Sequence, residues 1–210
     1  MKNLFYDRDG QNQQNTMIGD HMNNDLKKIF NKANDKFLRS TKKMIYDDVS
    51  ERCLCSELKL FLQEQLNNTI YKNYHIDNEY NRNCGHIKTT INGNMKEIVI
   101  QCDLIIHSRG ENELQDNLIA LEMKKSYQSE ESKDNDRDRL CALTKSTHDK
   151  DTYSYDGKTF PKHVCGYRLG IYYEIDKDEK KILVEYYANG RMFEKYEKKI
   201  ENAGKKRMNY

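Results

Sequence analysis

Ile98-Val99-Ile100-Gln101-Cys102-Asp103-Leu104-Ile105-Ile106-His107 and Asn117-Leu118-Ile119-Ala120-Leu121-Glu122-Met123-Lys124-Lys125 are the two segments on which the reading of this chain turns. Both are β-branched or aliphatic, and Arg109-Gly110-Glu111-Asn112-Glu113-Leu114-Gln115-Asp116 between them carries turn chemistry, which predicts a β-hairpin. Side chains alternate along a strand, so Glu122 and Lys124 project from one side, and Asp103 lies on the neighbouring strand. Leu118 and Ala120 face one way and Ile119 and Leu121 the other, which predicts a strand inside a sheet, buried on both faces. Two carboxylates and one ammonium converging at the end of such a hairpin can hold a divalent metal and polarise a water. A buried charge is costly unless paired or metal-bound, so these three mark the candidate site.

The rest of the chain is polar. Its 210 residues suggest one domain, and with 33% charged and 36% hydrophobic residues the core must be lean, yet sufficient for one sheet with covering helices. It has no run of about 18 apolar residues, so no membrane-spanning helix is expected. The first residues, Met1 to Asp9, lack the apolar stretch of a signal peptide. A cytoplasmic location and reduced thiols for the six cysteines follow as expectations. Cys53 and Cys55 have no second close Cys/His pair to complete a zinc site. The net charge of +2 does not advertise nucleic-acid binding. Lys42-Lys43, Lys124-Lys125, Lys180-Lys181, Lys198-Lys199 and Lys205-Lys206-Arg207 could gather on one face or stay as ordinary solvated lysine.

Along the chain, residues 1–23 are rich in Asn, Gln and Asp and read as disordered or loosely packed. Leu26, Ile29, Phe30, Ala33, Phe37 and Leu38 recur at helical spacing and predict an N-terminal helix over 24–48, a covering or dimerisation element. Ser50 is a candidate N-cap for a second helix reaching about Leu66. Glu51 falls on its apolar stripe with Leu54 and Leu58 and either points inward or serves as a first-turn acid on the helix dipole. A first strand is expected over Asn73–Arg82, and a polar loop over 84–94. Ser126–Arg137 reads as charged and mobile, and Asp138–Thr144 as a short helix covering the sheet or lining a groove. Strands are expected at Val164–Ile175 and Ile182–Ala188, and a basic helix or tail over 191–210. The core, 49–190, is thus a mixed sheet flanked by helices, in the α/β or α+β class.

Asp103, followed nineteen positions later by Glu122-Met123-Lys124, resembles the signature of the PD-(D/E)xK nucleases, a superfamily that includes restriction endonucleases and small bacterial defence or mobile-element nucleases. The surrounding segments are similar to a group of small bacterial members: Glu51 at a helix start, Asp77 to Arg82, Asp103 through Gly110, and Asn117 through Lys125. The resemblance covers roughly 60% of the chain and leaves residues 1–45 aside. Cys102 stands where the family carries its proline, which is not a ligand.

The resemblance implies a restriction-endonuclease-like αβββαβ core and a Mg²⁺-dependent endonuclease, with Mn²⁺ as an alternative metal. Asp103 and Glu122 are hard oxygen ligands suited to such ions. The Met123 backbone carbonyl would add a ligand, Lys124 would orient or help deprotonate the attacking water, and Glu51 would bind a second metal or its water shell. Glu79 is another candidate outer acid, or a partner of Arg82 or Lys88. His107 shares the Asp103 face and could touch phosphate or simply be hydrogen-bonded at a strand end. Lys125 faces away from Lys124. The 15 tyrosines could stack on bases or pack in the core.

The implied partner is nucleic acid, DNA before RNA, with a homodimer or a partner protein of a defence or mobile-element system also open. The alternatives are a non-catalytic nucleic-acid-binding or regulatory subunit on the same fold, and a protein-interaction subunit. For the triad itself the bland reading is a buried ion pair that only satisfies charge, although apolar residues would stabilise that hairpin better.

Overall fold

The computed structural model describes residues 8–83, 86–87, 89–91, 97–99, 101–112, 114–145 and 164–202. The chain opens with three helices, α1 (Arg8–Ser40), α2 (Lys42–Tyr46) and α3 (Glu51–Leu66). Ser50 caps α3 by accepting the Cys53 N–H at 3.3 Å, which satisfies one of the donors left free at a helix start. Leu54, Cys55, Leu58, Leu62 and Leu66 form its buried stripe.

The strands follow: β1 (His75–Asn78), β2 (Arg82–Asn83), β3 (His86–Ile87), β4 (Thr89–Ile91), β5 (Glu97–Val99), β6 (Leu104–His107) and β7 (Asn117–Lys125). Then come α4 (Glu130–Leu143), β8 (Leu169–Asp176), β9 (Lys181–Ala188) and β10 (Arg191–Lys199), with a single 3₁₀ turn at Ile200–Asn202. Among the described residues, six strands form one mixed sheet in the order β1-β6-β7-β8-β9-β10. β7 and β8 are parallel, and the other neighbours in the sheet are antiparallel. A parallel pair needs a crossover, and α4 lies within it. β2–β3 and β4–β5 are separate two-stranded ribbons.

The sheet is covered on both faces. The larger core lies under α1 and α3, where Phe30 and Phe37 pack edge-on against Tyr173 and Leu54, Leu58 and Leu62 join Leu104, Leu121 and Met123. Each such burial contributes roughly 1.5–3 kcal/mol. The smaller core lies under α4 and gathers Cys102, Ile105, Ala120, Leu140, Leu143 and Tyr172. Adjacent Tyr172 and Tyr173 thus serve opposite faces, as strand alternation requires. Gly170 brings α4 close: a Cβ there would lie 3.0 Å from Thr144 Cγ2 and 3.0 Å from Tyr187 Cβ.

Several expectations need correction. The expected first strand of the hairpin is split, for β5 belongs to its own ribbon and the sheet strand begins only at Leu104. β1 ends at Asn78, because Glu79 takes a left-handed φ of 49°. The segment 126–137, expected to be mobile, holds most of α4; Ser129 caps it by accepting the Ser132 N–H at 3.2 Å, with Glu130 and Glu131 in the first turn. Arg191–Lys199 is a strand and not a helix. Its period is two: Glu194 and Lys198 reach Lys27 and Asp35 on α1, whereas Lys195 and Glu197 reach Glu185 and Lys181 on the sheet. α1 begins at Arg8, within the segment read as disordered or loosely packed. Most of the 84–94 loop and residues 203–210 lie outside the described residues.

Candidate functional site

The site forms where β6 ends and β7 continues. Leu104 pairs with Leu121, so β7 runs on past β6 through Glu122, Met123, Lys124 and Lys125. Two carboxylates bond to the backbone there. Asp103 Oδ2 accepts the Met123 N–H at 2.7 Å. Glu51 Oε1, from the first turn of α3, accepts the Lys125 N–H at 2.8 Å. Amides two residues apart leave a strand on the same edge, so Asp103 and Glu51 line one edge of β7. The N–H and C=O of one strand residue point the same way, so the Met123 carbonyl faces that edge as well. Glu51 therefore points inward, and serves the sheet and the start of α3 at once.

Asp103, Glu122 and Lys124 lie on the α4 side of the sheet. Alternation puts them with Ile105 and Ala120, which belong to the core under α4. Glu122 is 2% exposed, and Arg139 Nη1 donates to its Oε1 at 3.0 Å. The other arm of Arg139, Nη2, donates to Asp136 Oδ1 at 3.1 Å. Lys124 Nζ lies 3.1 Å from Asp136 Oδ2, an ion pair on the buried oxygen that Arg139 does not hold. Charges thus alternate from Glu122 through Arg139 and Asp136 to Lys124.

Burial sets the electrostatics. It pushes the Asp103 carboxyl up to about 6, against the pull of the Met123 amide and Lys124, and with Asp136 and Glu51 adding repulsion. It raises Glu122 well above the usual carboxylate range, even though Arg139 opposes the shift. Burial works the other way on Lys124, but the carboxylates of Asp136, Glu51 and Asp103 together outweigh it and hold the ammonium above its ordinary range. Four acids (Glu51, Asp103, Glu122, Asp136) share this region with two cations (Lys124, Arg139), and the surplus is negative.

The donor chemistry suits a hard divalent cation: carboxylate oxygens, a strand-edge carbonyl and uncompensated negative charge. As the side chains stand, however, no three His, Cys, Asp or Glu groups among the described residues gather around one point that could hold an ion. Glu122 is drawn to Arg139, and Asp103 to the Met123 amide.

The side chains of the remaining candidates hold other partners, although the Glu79 N–H donates to the Asp103 carbonyl at 3.3 Å. Glu79 makes a two-pronged pair with Arg52 on α3, with Nε to Oε1 at 2.7 Å. His107 sits at the far end of β6, 2% exposed, with Nε2 2.9 Å from Asp77 Oδ2 and its ring on Tyr80. Arg109 also grips Asp77, at 2.9 and 2.6 Å. Lys125 faces away from Lys124 and pairs with Asp48 at 3.0 Å. Cys55 is buried against Met123, Sγ to Sδ 3.7 Å, whereas Cys53 is exposed.

Asp136 and Arg139 were absent from the sequence-derived site. Asp136, Leu140 and Leu143 recur at spacings of four and three, so the helical stripe places Asp136 inward. The Ser129 cap with two following acids was the signal that the helix starts that early.

No helix among the described residues is long and apolar enough to cross a membrane. No family model matches this chain, and neither does any curated protein or solved structure.

Proposed function

We propose that this chain is a divalent-metal-dependent nuclease of the PD-(D/E)xK type that hydrolyses phosphodiester bonds, with DNA as the first candidate substrate in a restriction or phage-defence setting. The observation that carries this reading is the placement of Asp103, Glu122 and Lys124 on one side of the sheet, with Glu51 arriving along the same strand end. With the β2–β3 and β4–β5 ribbons set aside as an insertion after β1, the order α3-β1-β6-β7-α4-β8, three antiparallel strands and then a parallel one, supports it as the αβββαβ core that the resemblance implies.

Asp103, Glu122 and the Met123 carbonyl would hold Mg²⁺ or Mn²⁺, with Glu51 at the edge of the site. Such an ion supplies charge neutralisation at the phosphate and acidifies a coordinated water. The Met123 N–H fixes one oxygen of Asp103 and leaves the other free to ligate. Lys124, kept protonated by Asp136, suits an electrostatic role: it donates to the attacking water or to the phosphoryl oxygens as negative charge develops there.

A second reading has its own observation. Glu122 and Lys124 already have internal partners in Arg139 and Asp136, as a non-catalytic binding module on the same fold would also have. Incubation with supercoiled, linear and single-stranded DNA and with RNA, in Mg²⁺, Mn²⁺ or EDTA, separates the two. Cleavage that EDTA abolishes supports the nuclease; a mobility shift without cutting supports the binding module.

A further inference from the structure

Arg139 stands where a metal's charge would act. Its guanidinium bridges two buried carboxylates, Glu122 (2% exposed) and Asp136 (3% exposed), through separate arms at 3.0 and 3.1 Å. A carboxylate so deeply buried cannot satisfy a guanidinium and a divalent cation on neighbouring oxygens without bringing two like charges together in a low-dielectric setting. Asp136 also offers a place for the displaced arm. Its Oδ2 is buried and faces the Lys124 ammonium, while its Oδ1 already holds Arg139 Nη2. A guanidinium matches a carboxylate through two parallel hydrogen bonds, so Nη1 can leave Glu122 and complete a fork on Asp136. Lys124 Nζ, 3.1 Å from that same Oδ2, is then in competition with Arg139 for it.

We infer that Arg139 is a built-in competitor for the metal: a divalent cation takes Glu122 from it, Arg139 closes onto Asp136, and Lys124 is released toward the reacting phosphate. This rests on the metal-dependent reading above. Arg139 acts here as a positioning residue that couples cation entry to the availability of Lys124. It lowers the cation affinity of the site and thereby sets the concentration at which the site becomes competent.

The test is calorimetric titration of Mn²⁺ into the full chain at neutral pH, for wild type, Arg139→Gln and Arg139→Lys, with Asp103→Asn marking the heat that belongs to this site. Arg139→Gln is expected to bind Mn²⁺ about tenfold tighter or more, and Arg139→Lys, which keeps the charge but not the fork, to fall between it and wild type. A larger rise in melting temperature on adding Mn²⁺ should accompany the tighter binding. Equal or weaker Mn²⁺ binding in Arg139→Gln, when wild type binds, overturns the inference and leaves the nuclease reading standing. If Arg139→Gln does not fold, Arg139→Lys decides alone: tighter than wild type supports the competitor role, and equal or weaker overturns it. If wild type and both Arg139 variants give no heat attributable to Asp103, both this inference and the metal-dependent reading fall.

Discussion

Arg139 on α4 and Glu122 on β7 meet at 3.0 Å beneath the helix, with the Glu122 side chain almost wholly out of solvent. The pair ties the crossover helix to a central strand of the sheet at the point where β6 has ended. Removing one member of such a pair leaves the other buried and uncompensated, whereas removing both charges is mild. Arg139→Gln should therefore destabilise the chain by about 3–5 kcal/mol, and the Glu122→Gln/Arg139→Gln double variant by clearly less than the sum of its singles, with a coupling of about 2 kcal/mol. Urea unfolding of the four proteins measures it. Additive singles would mean that the two side chains do not depend on each other.

The Asp103 carboxyl, pushed up to about 6 by burial, carries a stability signature of known sign. The folded protein holds this proton more tightly than the unfolded chain, so the contribution is fully present below about pH 4 and is lost as pH rises through about 6. Its size is about 3 kcal/mol. With EDTA present, unfolding midpoints of wild type should fall between about pH 4 and pH 7 more steeply than those of Asp103→Asn, which cannot titrate there. Parallel curves for the two proteins would contradict the placement of Asp103. Asp77 has the opposite sign. Burial works against its charge, but Arg109 and His107 hold it down to about 2, so its contribution is present above the ordinary carboxylate range and fades only as pH falls toward 2.

How much of this was legible depended on where the chain put its apolar atoms. β7 and α3 could be read because their buried faces are aliphatic: Leu118 to Leu121 in one, Leu54, Leu58 and Leu62 in the other. Of α4 only the end was legible, as a helix over Asp138–Thr144; its first two turns were not, because their inward surface is Lys133 and Asp136, and a buried ion network looks like solvated surface in one dimension. The triad of Asp103, Glu122 and Lys124 was visible because charge interrupts an apolar run; the partners that hold Glu122 and Lys124 were not. β10 was misjudged for a related reason. Its alternation is of Glu and Lys against Lys and Glu, so period two leaves no hydrophobic trace except the half-buried Tyr196.

Gly170 controls how near α4 comes to the sheet. Gly170→Val should destabilise the chain by about 1–3 kcal/mol through overpacking, since Tyr187 Cβ is anchored to the backbone and only Thr144 can yield. As α4 lifts, Arg139 and Asp136 move with it, so cleavage should fall by more than the loss of folded protein accounts for. Differential scanning calorimetry together with plasmid nicking at a temperature well below the transition checks both halves. Full specific activity at wild-type stability would show that the close approach is not needed.

The most direct measurement is nicking of supercoiled plasmid by wild type, Asp103→Ala and Lys124→Ala in Mg²⁺ and in EDTA, with melting temperatures recorded for all three. Wild type should cut in Mg²⁺ and stop in EDTA, and each variant should lose roughly 1000-fold or more in rate while remaining folded. Cleavage by either variant at a rate near that of wild type, or cleavage by wild type that persists in EDTA, would contradict a metal-dependent site built on these residues.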